Sequence, residues 1–548
     1  MNRSKQSIKN SAISITSYIT KLVINFVVRT IFIHKLGAEY LGLNSLFSNI
    51  LTLLSLADLG FSSAIGFAMY KPIAENNIEK VKSLLSFFKK IYLIVGIIII
   101  AVGLCLTPFL DYLIAGKPNV DVDIRIVYVV FVLNSGLSYF FAHRKTLIFA
   151  YQRNDVEVLI NTGAMLLLYV LQIIALCLFS NYYIYIALMP VCTVFELVIV
   201  WVASRRLFPE IYGKAQILPR DEKKAIIKNV YAMSLHKIAT VILLGTDSLL
   251  ISSILGLEIL GKYSNYLLIV TSLLTIVGLL ANAFKSSVGN LVATETIERN
   301  QSVFHKLNLI VQCITGLFAV CFFVLIQPFM EIWIDANYKM SFFLVALFAG
   351  YIYLMGNRHA VQAFKDAKGL FWQNRYAPII ECLLNLGISI GCAIWFGVEG
   401  ILVGTVVSLI IVPFWVEPFI LYKYYFKTGQ KTYWLKYALH TLLTIVAGAA
   451  CFGICWIIPG SGIGIWIAKA IICICITAVV YLLAYFKTPE FKSLLETLKS
   501  LKQGKKHKKD NKLVENVQNL SESGENRPRN QQDEEKVDVG EDVEIVES

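Results

Sequence analysis

Apolar residues fall along this chain in unbroken blocks of about twenty, with short polar or charged punctuation between them. The run "IYLIVGIIIIAVGLCL" at 91–106 is typical. A block of that length crosses the hydrocarbon of a bilayer once as a helix, at about 1.5 Å per residue. Fourteen spans are predicted, at about 12–35, 42–69, 91–114, 124–149, 156–179, 182–204, 228–253, 260–284, 305–329, 339–363, 376–396, 399–422, 435–458 and 464–486. A barrel would instead alternate apolar and polar residues in segments of about ten. The expected fold class is therefore all-α integral membrane.

Composition agrees, with 57% hydrophobic and 16% charged residues among 548. The N-terminal "MNRSKQSIKNSAISITSYITKLV" lacks the dense apolar core and small-residue cleavage site of a signal peptide, so the first span is expected to be retained. The eleven cysteines lie in or beside apolar blocks, where packing explains them better than disulfides, and no Cys/His spacing suggests zinc.

Charge adds orientation. Basic residues gather in alternate connections: Arg3, Lys5 and Lys9 before the first span, Lys71 to Lys90 after the second, Arg144, Lys145 and Arg153 after the fourth, Arg205 to Lys228 after the sixth. The same beat continues to the lysine-rich C-terminal stretch, while connections such as "SNYY" and "PGSGIG" carry none. The positive-inside rule then places both termini in the cytoplasm, which requires an even number of spans. The net charge of +13 is thereby spread along an anionic leaflet and does not indicate nucleic acid. Beyond the last span, Phe491, Leu494, Leu495, Leu498 and Leu501 share a face opposite lysines, so 488–510 reads as a basic amphipathic helix on the membrane surface, and 511–548 as a disordered acidic tail. A second surface helix is expected at 78–88, from Ile78, Val81, Leu84, Leu85 and Phe88.

The chain also repeats itself. "LGAEYLG" at 36–42 returns as "LGLEILG" at 255–261, and "PFLDYLI" at 108–114 as "PFMEIWI" at 328–334. Arg144 has a counterpart in Arg358, and the "NTG" at Asn161 one in the "NLG" at Asn385, all at an offset of about 220 residues. The unit holds six spans, an even number, so both copies enter the membrane in the same direction, related by a pseudo-two-fold axis along its normal. The expected organisation is an N-lobe at 1–210, a C-lobe at 211–430, and two further spans at 431–487, with a cavity between the lobes. The two "LGxExLG" copies are expected to be outer turns, with Glu39 and Glu258 in water.

The first pair of spans, "RTIFIHKLGAEYLGLNSLFSNILTLLSLADLGFSSAI" followed by "YKPIAENNIEKVKSLLSFFKK", resembles the Wzx-type polysaccharide flippases of the multidrug/oligosaccharidyl-lipid/polysaccharide superfamily. The resemblance covers roughly 1–486. It implies a transporter, not an enzyme, that carries undecaprenyl-diphosphate-linked oligosaccharide from the inner to the outer leaflet for capsule or exopolysaccharide assembly. It implies pathway polymerases and glycosyltransferases as partners besides membrane lipids, and no bound cofactor. Coupling to a proton or to sodium stays open.

A charge at the centre of a span costs about 2.5–3.5 kcal/mol, so each needs a partner or a water-filled cavity. Lys21, Asn25 and Arg29 recur every four residues and form one polar stripe on the first span. On the resemblance, Arg29 and Lys21 bind the substrate's diphosphate, with Lys237 and Arg358 extending the lining. The alternative is that Arg29 pairs with an acidic residue and locks the bundle. Asp58 and Asp247 are the candidates for coupling or gating, and the repeat suggests that Arg29 faces Asp247 across the axis. Asn265 is a further candidate for the polar lining. Two rivals are a cation-exporting pump of the multidrug and toxin extrusion type and a membrane-embedded polymerase or acyltransferase. A lining of Lys21 and Arg29 repels cations. The outer connections are short and carry no paired catalytic carboxylates.

Overall fold

A computed structural model describes residues 3–55, 61–213, 215–460 and 462–496. Among the described residues every regular element is helical. The first helix, α1 (Arg3–Leu36), stops at Gly37, whose φ of 88° a side chain would resist, and α2 (Ala38–Leu54) begins at the next residue. After α3 (Phe61–Ala74), the Asn77 side chain caps α4 (Ile78–Leu106) by accepting the Lys80 N–H at 3.0 Å. The surface helix expected at 78–88 is thus the first turns of a continuous α4. Its Val81, Leu84, Leu85 and Phe88 are buried with Met69, Leu147, Ile211 and Leu218, and protein covers the face that lipid was expected to cover.

A 3-10 turn at Thr107–Leu113 leads to α5 (Ile124–Phe140) and α6 (Ala142–Ala150), which meet at a 44° bend. The helices α7 (Asn154–Phe179) and α8 (Tyr182–Leu207) complete the first repeat. The second begins with α9 (Arg220–Leu255) and α10 (Leu257–Thr294), again broken by one glycine, Gly256, at φ 90°. Then come α11 (Ile297–Trp333), α12 (Phe342–Ala367), α13 (Ala377–Ile411) and α14 (Pro413–Leu421). The last two are α15 (Lys431–Ile457) and α16 (Ile463–Tyr485).

The described residues of the predicted spans are mostly helical, and the spans at 42–69 and 124–149 are each divided between two helices. Among the described residues nine helices are long and apolar enough to cross a membrane, or ten if α5 and α6 form one span. One of the nine, 377–426, is far too long for a single crossing of about 30 Å. It reverses at Gly397, with φ 61° and ψ −134°. The two arms touch: a Cβ on Gly400 or Gly404 would strike the backbone of Cys392 or Ser389, and Ser389 Oγ donates to the Ile401 carbonyl at 3.0 Å.

Residues Met1–Ala484 form one compact unit. Within it α1 packs on α7, α4 on α5 and α7 on α8, while α11 packs on α12 and α13 on α9, so each repeat is a bundle. The bundles join through α2, which lies against both α9 and α10. The expected boundary at 210/211 is not a break in packing, because Ile211, Leu218 and Ile226 share a core with Leu84 and Phe88 of α4. The second unit, Tyr485–Ser548, is described only to residue 496, with a helical stretch at 489–496. The rest of the amphipathic helix expected at 488–510, and the tail at 511–548, lie outside the described residues.

Candidate functional site

The two seven-residue copies meet each other. Gly42 on α2 packs against the backbone carbonyl of Leu257, and Gly261 on α10 against that of Ala38. The partners exchange at one repeat offset, as residues related by a two-fold axis must. A side chain at either glycine would strike main-chain atoms, which cannot rotate away as a side chain can. The other repeated landmark closes the same seam. Ser252 Oγ on α9 donates to the Leu113 carbonyl at 2.7 Å, and Trp333 Nε1 at the end of α11 donates to Thr30 Oγ1 on α1 at 2.7 Å. Only Gly37 and Gly256 are the turn formers expected of these motifs; the second glycine of each copy serves close approach. Glu39 accepts the backbone N–H of Asn119 at 2.5 Å, and Glu258 pairs with Lys262 at 2.8 Å.

Arg29 sits two turns before Gly37, about 12 Å along α1. Its Nε donates to Asn265 Oδ1 at 2.7 Å and its Nη2 to Ser264 Oγ at 2.5 Å, so an N-lobe cation is held by the C-lobe. Both partners are neutral. Ser264 Oγ is itself anchored to the Gly261 carbonyl at 2.8 Å, one turn back toward the seam. The guanidinium borders a cavity of 310 Å³ lined also by Asn25, Asn44, Ser45, Ser48 and Gln172, with Phe32, Phe131, Tyr169 and Tyr185 as apolar walls. No carboxylate is among the lining residues. Such a pocket offers a planar cationic donor and amide and hydroxyl groups, the chemistry that suits a phosphate or carboxylate.

Of the residues singled out from sequence, Arg29 and Asn25 line this cavity together and Asn265 holds Arg29. Lys21 does not line it; its Nζ donates to Asn161 Oδ1 on α7 at 2.6 Å. Asn161 in turn donates to Glu196 at 3.0 Å, and Glu196 accepts from Lys145 at 2.7 Å. Arg358 is placed elsewhere too. It bonds Glu417 at 3.0 Å and lies 3.6 Å from Glu381, within a buried cluster that includes Lys365, 2.9 Å from Glu417. Two carboxylates neutralise it, and it offers no free cation to a cavity. The side chain of Lys237 and all of Asp58 lie outside the described residues.

The expected pair of Arg29 with Asp247 is not formed. Asp247 Oδ2 accepts from Thr405 Oγ1 at 3.0 Å, and Thr405 is bonded in turn by Asn385 at 2.9 Å. The neighbour Ser248 takes the place at the seam, accepting from Asn49 at 3.0 Å. One residue along a helix is a rotation of about 100°, enough to turn Asp247 from the seam into its own lobe. Its Oδ1 is buried with no hydrogen-bond partner among the described residues.

The sequence reading missed Ser45 and Ser264, although a signal was present. Each stands three residues after the second glycine of its motif, so the repeat extends to "LGxExLGxxS".

Two helical bundles in parallel repeat, joined at a glycine seam beside a cationic pocket, define a two-lobed all-helical membrane fold that is also found among membrane transporters. The fold is shared with solved structures of that class. The lipid II flippase MurJ in an inward closed conformation superposes with a TM-score of 0.63 at 14% identity, over 89% of this chain and 100% of that one. A MATE family multidrug resistance transporter in an inward-facing conformation gives 0.58 at 15% identity, over 75% and 98%. A mutant of the Vibrio cholerae MATE transporter VcmN gives 0.55 at 14% identity, over 78% and 97%. Residues 7–286 match the family model described as polysaccharide biosynthesis protein, and the chain belongs to that family. No curated protein matches it significantly.

Proposed function

We propose that this protein is a flippase that moves undecaprenyl-diphosphate-linked oligosaccharide from the inner to the outer leaflet of a bacterial plasma membrane, for capsule or exopolysaccharide assembly. Membership of a polysaccharide biosynthesis family and a fold shared with a lipid II flippase support this reading. The observation that carries it is Arg29, a cation at the lobe seam, beside a cavity, whose hydrogen-bond partners among the described residues are neutral. A diphosphate entering the cavity takes the guanidinium from Ser264 and Asn265 and so loosens a bond between the lobes. Substrate binding and lobe separation are then one event, as alternating access requires. At 310 Å³ the cavity is near the lower end of ligand pockets, about 300–1,000 Å³; it accommodates the diphosphate, and the sugars enter as the lobes part. An exporter of organic cations fits less well, because the lining presents an arginine and no carboxylate.

Asp247 is the coupling residue in this proposal. A carboxylate oxygen unpartnered among the described residues, beside Thr405 and Asn385, can take a proton or a sodium ion. Deleting the gene is expected to trap lipid-linked repeat units in the inner leaflet, and Arg29→Ala to do the same while the protein still inserts. Normal surface polysaccharide in the Arg29→Ala strain would refute the reading.

A further inference from the structure

The sequence pairs Arg144 with Arg358, but the ion pairs set another register, in which Lys145 and Glu196 match Lys365 and Glu417; of the two arginines only Arg358 has a carboxylate partner among the described residues. Arg358 has Glu417 and Glu381. In the N-lobe Glu196, the counterpart of Glu417, is taken by Lys145 and Asn161; Arg144 hydrogen-bonds Tyr212, while its Nε and Nη1 are buried with no hydrogen-bond partner among the described residues. The guanidinium lies among rings, 4.9 Å from the centre of Tyr212 and 5.9 Å from that of Trp201. Arg205, near the end of α8, shares both rings at 5.8 and 4.5 Å. Ser204 is hydrogen-bonded to Tyr212 and pins that ring in place. Among the described residues neither arginine has an ion-pair partner. Two like charges brought together and partly desolvated are unfavourable until an anion joins them.

The face of α8 says what kind of anion. Val191, Val194, Phe195 and Val198 are exposed at steps of three and four, a lipid-facing stripe that runs directly to Trp201 and Arg205. From Val191 to Arg205 the rise is about 21 Å, comparable to one leaflet. A soluble phosphate has no use for that stripe, whereas a lipid covers the stripe with its chain and the arginines with its headgroup. We propose that Arg144 and Arg205 form a binding site for the phosphate of a lipid headgroup whose chain lies along α8. The site is separate from the Arg29 cavity and does not depend on the transport reading. The same chemistry would hold a bulk anionic phospholipid or a polyprenyl phosphate.

The test is lipid binding to the purified full-length protein in detergent, by thermal shift and native mass spectrometry. The probes are phosphatidylglycerol, undecaprenyl phosphate, phosphatidylcholine and inorganic phosphate. Arg205→Gln should weaken binding of an anionic lipid about tenfold, the scale of one charge-assisted hydrogen bond. Arg205→Lys should restore part of it, and Arg144→Gln should act in the same direction. Arg299→Gln, which removes an exposed charge from a C-lobe basic connection, should leave binding unchanged. Arg205 is exposed, so its variants test binding without testing the fold. A loss for undecaprenyl phosphate alone assigns the site to polyprenyl lipid, and a loss for phosphatidylglycerol alone or for both assigns it to anionic lipid in general. Undiminished binding in Arg205→Gln and Arg144→Gln overturns the site. Equal stabilisation by inorganic phosphate or by phosphatidylcholine overturns its assignment to a lipid phosphate.

Discussion

The two lobes carry charge clusters at corresponding places and build them differently. In the C-lobe Glu417 accepts from Arg358, Gln362 and Lys365, and the side chains of Glu417 and Lys365 are only 3% and 6% exposed. In the N-lobe the corresponding pair, Glu196 and Lys145, is 14% and 26% exposed, and a neutral Asn161 links it to Lys21. A dry cluster with its charges matched is costly to break, because removing one member strands the others away from water. A wetter one held through an amide exchanges partners at little cost. The C-lobe therefore closes the Glu417 cluster internally, while among the described residues the N-lobe leaves Lys21, Arg29 and Arg144 without a bonded carboxylate. Anionic chemistry is expected on the N-lobe side.

The largest effect expected from this contrast is on stability. Glu417→Gln leaves Arg358 and Lys365 buried without their shared anion and should cost about 3–5 kcal/mol, read as a lowered unfolding temperature in detergent. Glu196→Gln should cost distinctly less. If the two variants destabilise equally, the lobes do not differ in the way described.

Next in size is the seam. Gly42→Val or Gly261→Val drives a side chain into the facing backbone, an overpacking cost of about 1–3 kcal/mol that falls only on the closed seam. The population should shift toward a parted seam. A cysteine at Ser45, in a background without native cysteines, should then react faster with an impermeant maleimide added from outside. Unchanged labelling would mean that the seam does not gate the cavity.

The smallest effect is that of Lys21→Ala, which removes one hydrogen bond to a neutral amide and should cost about 1 kcal/mol. Arg29→Ala should be similarly mild in unfolding and yet reduce transport at least about tenfold. A variant at Arg29 that loses stability and transport in proportion would make Arg29 a lock between the lobes and not a ligand group.

Several features were legible in the sequence because they depend on neighbours along the chain. Span positions follow from hydropathy over about twenty residues, and the parallel repeat from motifs at one offset. Arg29 was legible as a candidate because a charge inside a span is conspicuous in one dimension. Its partners were not. Ser264 and Asn265 are more than 230 residues away, and nothing local ranks them above Asp247. The first turns of α4 misled for a related reason: an amphipathic face looks the same whether lipid or Ile211 and Leu218 will cover it.

By itself, then, the sequence determined the helices, the two equivalent bundles and the run of basic connections, all set by the local cost of placing polar groups in hydrocarbon. The tertiary structure decided which charges are neutralised and which stay available. That choice turns on helix rotation, where one residue of register separates Ser248 at the seam from Asp247 inside its lobe. It turns also on close approach, where Gly42 and Gly261 let two backbones touch and bring Arg29 to α10.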